Sequence, residues 1–72
     1  MFPFDENKGL KAFGESLRRI RKERGLSMES LANMAEIELS QIYRIETGKI
    51  NPKLTTILII ANALQISPKD LF

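Results

Sequence analysis

The same helix-start pattern occurs twice in this sequence, at residues 26–31 and again at residues 66–71. In each segment a serine follows an apolar residue, and a leucine stands four residues after the serine. A serine in this position caps a helix by accepting a hydrogen bond from the first turn, and the flanking apolar residues pack across the cap. The second copy adds Pro68 and Asp70, which both suit a first helical turn. The pattern predicts helices that begin near residues 28 and 68.

The segment before the first copy has a helical period. Apolar side chains recur there at steps of three, four and three residues, at Leu10, Phe13, Leu17 and Ile20. This spacing places them on one face of an α-helix, and Gly25 is a natural position for its end. The sequence therefore predicts a first helix over residues 11–24.

Together these signals predict an all-α fold, a compact five-helix bundle. Gly48 ends the third predicted helix, residues 51–52 (Asn-Pro) mark a loop before the fourth, and no segment alternates as a strand does. The predicted helices span residues 11–24, 28–35, 39–47, 53–64 and 68–72. Residues 1–9 contain Pro3 and Gly9 and show no period, so we expect a flexible N-terminal tail before a domain over residues 10–72.

The composition excludes most kinds of chemistry. The chain has no cysteine and no histidine, which removes disulfides, thiolate zinc sites and the usual general base near neutral pH. We therefore expect no enzymatic activity, no cofactor and no metal, and no small-molecule ligand is evident. The longest apolar run, residues 57–61, is far shorter than the roughly 20 residues that span a bilayer. The N-terminus does not resemble a signal peptide, so we expect a cytoplasmic protein with no membrane partner.

The positive charge is concentrated in two stretches, which we name the first and second basic stretches. The first, residues 15–24, has five cations against two acids, and the second, residues 44–53, has three cations against one acid. The cations of the first are Arg18, Arg19, Arg21, Lys22 and Arg24, and those of the second are Arg44, Lys49 and Lys53. Whether the two stretches share one face depends on the fold.

The second and third predicted helices are short and joined by a few residues, which is typical of a helix-turn-helix unit. Several segments, in order and at matching spacings, resemble the XRE-type helix-turn-helix family of phage Cro proteins and repressors. They are residues 13–21 (FGESLRRIR), 25–27 (GLS), 31–32 (LA), 42–49 (IYRIETGK) and 51–52 (NP), followed by 54–64 and 67–72. The resemblance covers about residues 12–72 and implies a lambda-repressor-like DNA-binding domain.

The resemblance also implies which residues contact DNA. Its base-contacting face falls on Leu39, Ser40, Gln41, Tyr43 and Arg44, with Glu38 at the margin. Residues 40, 41 and 44 share a face at helical spacing, and Ile42 and Ile45 point to the core. Arg44 suits guanine and Gln41 suits adenine, whereas Leu39 offers no hydrogen bond. A solvated polar face without a ligand is the alternative.

Phosphate contacts in the family come from the start of the second helix and from the loop after the third. In this sequence those positions are Ser27, Met28, Lys49, Asn51 and Lys53. Free N–H groups in a first helical turn suit a phosphate. For each lysine, a plain role in solubility is the alternative.

Three departures from the family pattern affect this surface. Met28 stands where the family often has a DNA-contacting glutamine. Glu36 stands where it often has glycine, and it costs roughly 1–2 kcal/mol if its backbone is left-handed. Glu36 and Glu38 also repel phosphate near the start of the recognition helix.

The resemblance assigns Arg21 and Glu46 a different role. The family places an arginine and a glutamate at these positions as a buried or half-buried pair that joins the first helix to the third. Arg21 follows Ile20 at the edge of the apolar face, which agrees with a structural role. We therefore expect an ion pair here and no contact with DNA.

The function that the resemblance implies is sequence-specific transcriptional regulation, with a homodimer on a palindromic double-stranded DNA operator. Ile59 makes the fourth helix apolar nearly all round, and such helices are buried on more than one side. We expect a dimer interface that includes Ile59 and Phe72, and the alternative is that both fold back onto the monomer core. An antitoxin or bridging factor, whose main partner is another protein, is the alternative function.

Overall fold

The computed structural model describes residues 4–72, which form four α-helices and one short 3₁₀ helix without any strand. The α-helices are α1 (Glu6–Glu23), α2 (Met28–Ala35), α3 (Leu39–Glu46) and α4 (Leu54–Leu64), and the 3₁₀ helix spans Pro68–Leu71. The all-α prediction is confirmed, but the prediction of five α-helices is wrong. The last segment closes with bonds to the third preceding residue, from Asp70 N–H to Ser67 O and from Phe72 N–H to Lys69 O. These bonds wind the chain more tightly than an α-helix does.

Helix α1 begins earlier than the sequence predicts, at Glu6 instead of residue 11. Asp5 has an extended backbone and caps the helix, because its Oδ1 accepts a hydrogen bond from Lys8 N–H at 3.2 Å. Residues 6–9, which were expected to belong to a flexible tail, are therefore helical. Residues 1–3 lie outside the described residues, and the division of the chain into a tail and a domain stays a prediction.

Two helices end on a left-handed residue that is not glycine. Glu36 after α2 and Gln65 after α4 both have a φ of 57°. In both places the next residue bonds back into the helix, from Ile37 N–H to Ala32 O and from Ile66 N–H to Ala61 O. These bonds satisfy carbonyl groups that a helix end leaves open. The expected cost of glutamate at position 36, about 1–2 kcal/mol, therefore applies to this fold.

The helices enclose one apolar core. All five helical elements contribute side chains that are fully buried, namely Leu17, Leu31, Ile42, Ile45, Ile60, Leu64 and Leu71. Each such side chain stabilises the fold by about 1.5–3 kcal/mol relative to leaving it in water. The prediction that Ile42 and Ile45 face the core is confirmed, and their burial turns the opposite side of α3 toward solvent.

Candidate nucleic-acid interface

The outer face of α3 is open to solvent. Ser40 and Arg44 are exposed, Gln41 is partly buried, and Leu39 and Tyr43 are 44% and 49% exposed. No ion pair within the described residues includes Arg44. Four of the five predicted base-contacting side chains therefore stand free on one face, and Gln41 lies at its edge.

Helix α3 is anchored by a buried ion pair between Arg21 and Glu46. The Arg21 Nε and Nη2 groups donate to the two carboxylate oxygens of Glu46 at 2.6 and 2.9 Å. The third donor, Nη1, reaches Leu26 O at 2.7 Å. The hydrogen bond to Glu46 raises the pKa of Arg21, although burial opposes the shift, so the guanidinium stays charged. One side chain thus connects α1, the end of α3 and the segment that leads into α2.

A close contact between α1 and the end of α3 supports the same arrangement. Gly14 is buried, and a Cβ built on it would overlap the carbonyl oxygens of Ile45 and Glu46. Any larger residue would push the two helices apart. The sequence around Gly14 does not indicate this requirement, because it comes from Ile45 and Glu46, which lie on a helix much further along the chain.

The start of α2 offers backbone donors more than side chains. Ser27 Oγ accepts from Ser30 N–H and donates to Ser30 Oγ, both at 3.0 Å, so its hydroxyl is engaged in the helix cap. Met28 is partly buried and packs against the core. At these two predicted positions an anion can still interact with the helix dipole and with the first-turn N–H groups other than that of Ser30, which already donates to Ser27 Oγ.

The loop after α3 presents exposed polar side chains. Lys49, Asn51 and Lys53 are all exposed, and no ion pair among residues 4–72 includes either lysine. The backbone N–H of Lys49 donates to Arg44 O at 2.8 Å, so it is not free for a phosphate as its place in the loop suggested. The side chains are therefore the main contribution of this loop.

The first basic stretch is largely engaged within the protein. Besides the buried Arg21, Arg24 Nη1 donates to Leu64 O at 2.8 Å at the end of α4, and Arg19 lies 3.6 Å from Glu23. The sequence identifies Arg24 only as one cation of the first basic stretch and does not reveal its contact with α4. The only local signal was its place after the last turn of α1, which does not reveal the partner helix.

An exposed apolar surface lies on α4. Leu54 is 69% exposed, Leu58 is 44% exposed and Ile59 is 45% exposed. Ile59 therefore does not fold back into the core of the monomer. Phe72 is 80% exposed, although its ring centroid lies 5.1 Å from that of Phe13. The two rings are tilted by 41° to each other, and most of the Phe72 side chain is open to solvent.

Other kinds of site are missing from the described part of the chain. Residues 4–72 contain no cluster of acidic side chains arranged as metal ligands. None of their helices is long and apolar enough to cross a bilayer.

A short helix, a tight turn and a second helix with an exposed polar face, anchored from behind, define a helix-turn-helix domain. A family model described as helix-turn-helix matches residues 17–71. The chain belongs to this family, of the XRE type, as the sequence resemblance implied.

Three similar proteins are informative. A 58-residue segment is 43% identical to the transcriptional repressor RghR of Bacillus subtilis, and a 57-residue segment is 37% identical to the transcriptional regulator DdrOP3 of Deinococcus deserti. Each match covers 79% of this chain but only 43% and 44% of those relatives, so the chain spans less than half their length. The crystal structure of the restriction-modification controller protein C.AhdI from Aeromonas hydrophila superposes with a TM-score of 0.89. It is 40% identical, and the match covers 90% of this chain and 98% of that one.

RghR is described as a transcriptional repressor and DdrOP3 as a transcriptional regulator, C.AhdI is described as a controller protein, and none of the three is described as an enzyme. The prediction that the chain is not an enzyme is therefore confirmed.

Proposed function

We propose that this chain is a transcriptional regulator that binds double-stranded DNA with α3 in the major groove. The observation that supports this most directly is the exposed face of α3, held in place from behind by the Arg21–Glu46 pair. A recognition helix must be presented rigidly, because base contacts need hydrogen-bond geometry. The names of the relatives support the same activity.

Arg44 is the main base-reading residue in this proposal. Its guanidinium is exposed on α3, and a bidentate contact with guanine O6 and N7 discriminates by about 1–3 kcal/mol. Gln41 pairs with adenine at the edge of the face. Ser40 and Tyr43 add hydrogen bonds, and Leu39 contacts a thymine methyl group.

Phosphate contacts flank α3 on both sides. Ser27 and Met28 contribute backbone N–H groups at the start of α2, where the helix dipole favours an anion. Lys49, Asn51 and Lys53 contribute side chains from the loop after α3. These contacts position the helix on the duplex and do not read sequence.

A homodimer on a palindromic operator is the second part of the proposal. Ile59 and its neighbours Leu54 and Leu58 leave an apolar surface on α4 that is costly to expose. Burying Ile59 returns about 1.5–3 kcal/mol per protomer, and two-fold symmetry brings the same surface from both chains together. Phe72 flanks this interface. The dimer then presents two α3 helices about 34 Å apart, which is one turn of DNA.

Selection from a pool of random-sequence DNA duplexes tests the main proposal. We expect enrichment of a palindrome, and binding to the enriched site whose log K falls with log salt concentration at a slope of about −7 to −11 for a dimer. That slope corresponds to about four to six phosphates neutralised by each protomer. No enrichment, or a slope shallower than about −3, would contradict the proposal and favour a protein partner.

Sedimentation of Ile59→Lys tests the dimer. We expect a folded monomer that binds DNA weakly and without selectivity, because the spacing between the two recognition helices is lost. Met34→Lys is the matched control, since Met34 is 52% exposed on α2 and not on α4. A parent that stays monomeric at high micromolar concentration, or an Ile59→Lys variant that dimerises like the parent, contradicts this interface.

A further inference from the structure

The loop after α3 lies against the first half of α1 at both of its ends. At the start of the loop, Gly48 has a φ of 71°, and a Cβ built on it would lie 2.9 Å from Lys11 Cα and 2.7 Å from Lys11 Cγ. At the other end, Asn51 and Pro52 line the same apolar groove, about 520 Å³ in volume, as Gly9 and Leu10. The first half of α1 and this loop therefore form one continuous surface.

Two lysines of α1 stand at this surface. Lys8 and Lys11 are three residues apart on one helix face, and both are exposed. Neither takes part in an ion pair within residues 4–72, and Glu15, four residues after Lys11, is not within ion-pair distance of it. With Lys49 on the adjoining loop, the surface carries three exposed lysines that form no ion pair within residues 4–72. The exposed acids Asp5, Glu6 and Glu15 also lie on or next to this half of α1, so an anion site depends on Lys11, which lies beside the loop that carries Lys49.

The stem of Lys11 packs against the backbone of the loop at Gly48. Its Cα and Cγ pack on Gly48, which has no side chain to keep them away. A lysine that covers backbone with its stem and leaves its ammonium in water loses less conformational freedom when it binds an anion. Lys11 is therefore prepared for a fixed contact with an anion.

We propose that Lys11 binds a backbone phosphate of the DNA next to the phosphate bound by Lys49. The first half of α1 is then a third phosphate-binding element, beside the start of α2 and the loop after α3. This inference rests on the proposed DNA binding. It extends that binding to α1, at a position for which the sequence predicts no DNA contact. The contact carries no base information, because it is made to the backbone.

Lys11→Gln in the full chain tests the proposal, with affinity for the selected operator measured over a range of salt concentrations. Each lost phosphate contact makes the slope of log K against log salt shallower by about 0.9, so we expect a change of about 1.8 for a dimer. The ratio of affinities for operator and random DNA should stay unchanged. Lys11→Met, which keeps the packed stem and removes the charge, should have the same effect, and both variants should melt like the parent.

Lys69→Gln is the control for net charge, because Lys69 is an exposed lysine on the 3₁₀ helix. Its slope should equal that of the parent. The inference is overturned if the Lys11 variants keep the parental slope, or if Lys69→Gln changes the slope as much as they do. A parent that shows no salt-dependent DNA binding overturns the proposed function itself, which is a distinct result, because Lys49→Gln would then also have no effect.

Discussion

The two basic stretches are similar in the sequence, but their cations make different contacts in the fold. In the first stretch, Arg21 is buried against Glu46, Arg24 bonds to a carbonyl of α4, and Arg19 pairs with Glu23. In the second stretch, Arg44, Lys49 and Lys53 are exposed and have no ion-pair partner within residues 4–72. Three of the five cations in the denser stretch are thus engaged within the protein, whereas Arg18 and Lys22 are exposed and form no ion pair within residues 4–72. All three cations of the sparser stretch remain available to a ligand. A count of charges along the chain does not locate a nucleic-acid surface.

The difference follows from where each cation lies relative to an apolar face. Arg21 directly follows the buried Ile20, so its guanidinium is drawn inward toward a carboxylate. Arg44 lies between the buried Ile42 and Ile45, and the helical period of α3 turns it to the opposite side. The same type of side chain therefore links two helices as Arg21 and remains free to donate hydrogen bonds to a ligand as Arg44.

The largest effect expected from a single substitution is a loss of stability at Glu46. Glu46→Ala leaves the buried Arg21 without its partner, so we expect the free energy of unfolding to fall by about 3–5 kcal/mol. That is a large share of the stability of a domain this small. Thermal melting measures the loss, and DNA affinity should fall only because less protein is folded.

Glu23→Ala is the matched control for Glu46→Ala, since it removes the same group from the exposed pair with Arg19. Exposed pairs contribute about 0–1 kcal/mol, so its melting temperature should stay close to that of the parent. If Glu46→Ala melted like the parent and still lost DNA binding, Glu46 would belong to the DNA surface and the contrast between the two stretches would fail.

The next largest effect concerns Arg44 and appears in binding instead of stability. Arg44→Ala should lose about 1–3 kcal/mol of discrimination at one base position in each half-site, with thermal stability nearly unchanged. Competition between the operator and single-base variants measures it. Arg18→Ala removes an exposed arginine from the first stretch and should keep the parental preference. An Arg44→Ala variant as selective as the parent would rule out the assigned contact.

A smaller effect on stability is expected at Arg24. Arg24→Ala removes the charged donor from the carbonyl of Leu64, where the end of the α4 dipole also favours a cation, and should cost about 1 kcal/mol. Chemical denaturation resolves a change of this size. Lys22→Ala, two residues earlier and exposed, should cost less. Equal losses for the two variants would show that the contact with Leu64 contributes nothing specific.

The smallest expected effect separates the lysines of the two stretches. Lys49→Gln should make the slope of log K against log salt shallower by about 0.9 per protomer, whereas Lys22→Gln should leave it unchanged. Titration of operator binding over a range of salt concentrations measures both. A reduced slope for Lys22→Gln would show that the first stretch also reaches the DNA backbone.

Much of the fold follows from local features of the sequence. The serine caps at residues 27 and 67 and the apolar period of α1 locate helices, because they depend on contacts within a few residues. The errors have local causes too. Asp5 caps α1 earlier than the absence of an apolar period suggested, and residues 68–71 form a 3₁₀ helix, since four residues leave little room for an α-helical ladder.

The candidate site was only partly predictable. The family resemblance located the face of α3, and the buried Ile42 and Ile45 orient it as their spacing predicted. Ser27 and Met28 were predicted as phosphate-contacting positions, but the hydroxyl of Ser27 is engaged in the helix cap and the side chain of Met28 packs against the core. A residue type indicates what a side chain can bind, but not whether another part of the protein already binds it.

The sequence by itself determined the positions of most helices, the apolar faces that form the core, and membership of the XRE-type helix-turn-helix family. Only the tertiary structure decided which cations are free, that Arg24 caps α4, that Gly14 admits the end of α3, and that Lys11 lies beside Gly48. The physical reason is the range of the interactions. Caps and helical periods act over three to five residues, whereas the contacts of Arg24, Gly14 and Lys11 each join segments that are far apart in the chain and meet only when the helices pack.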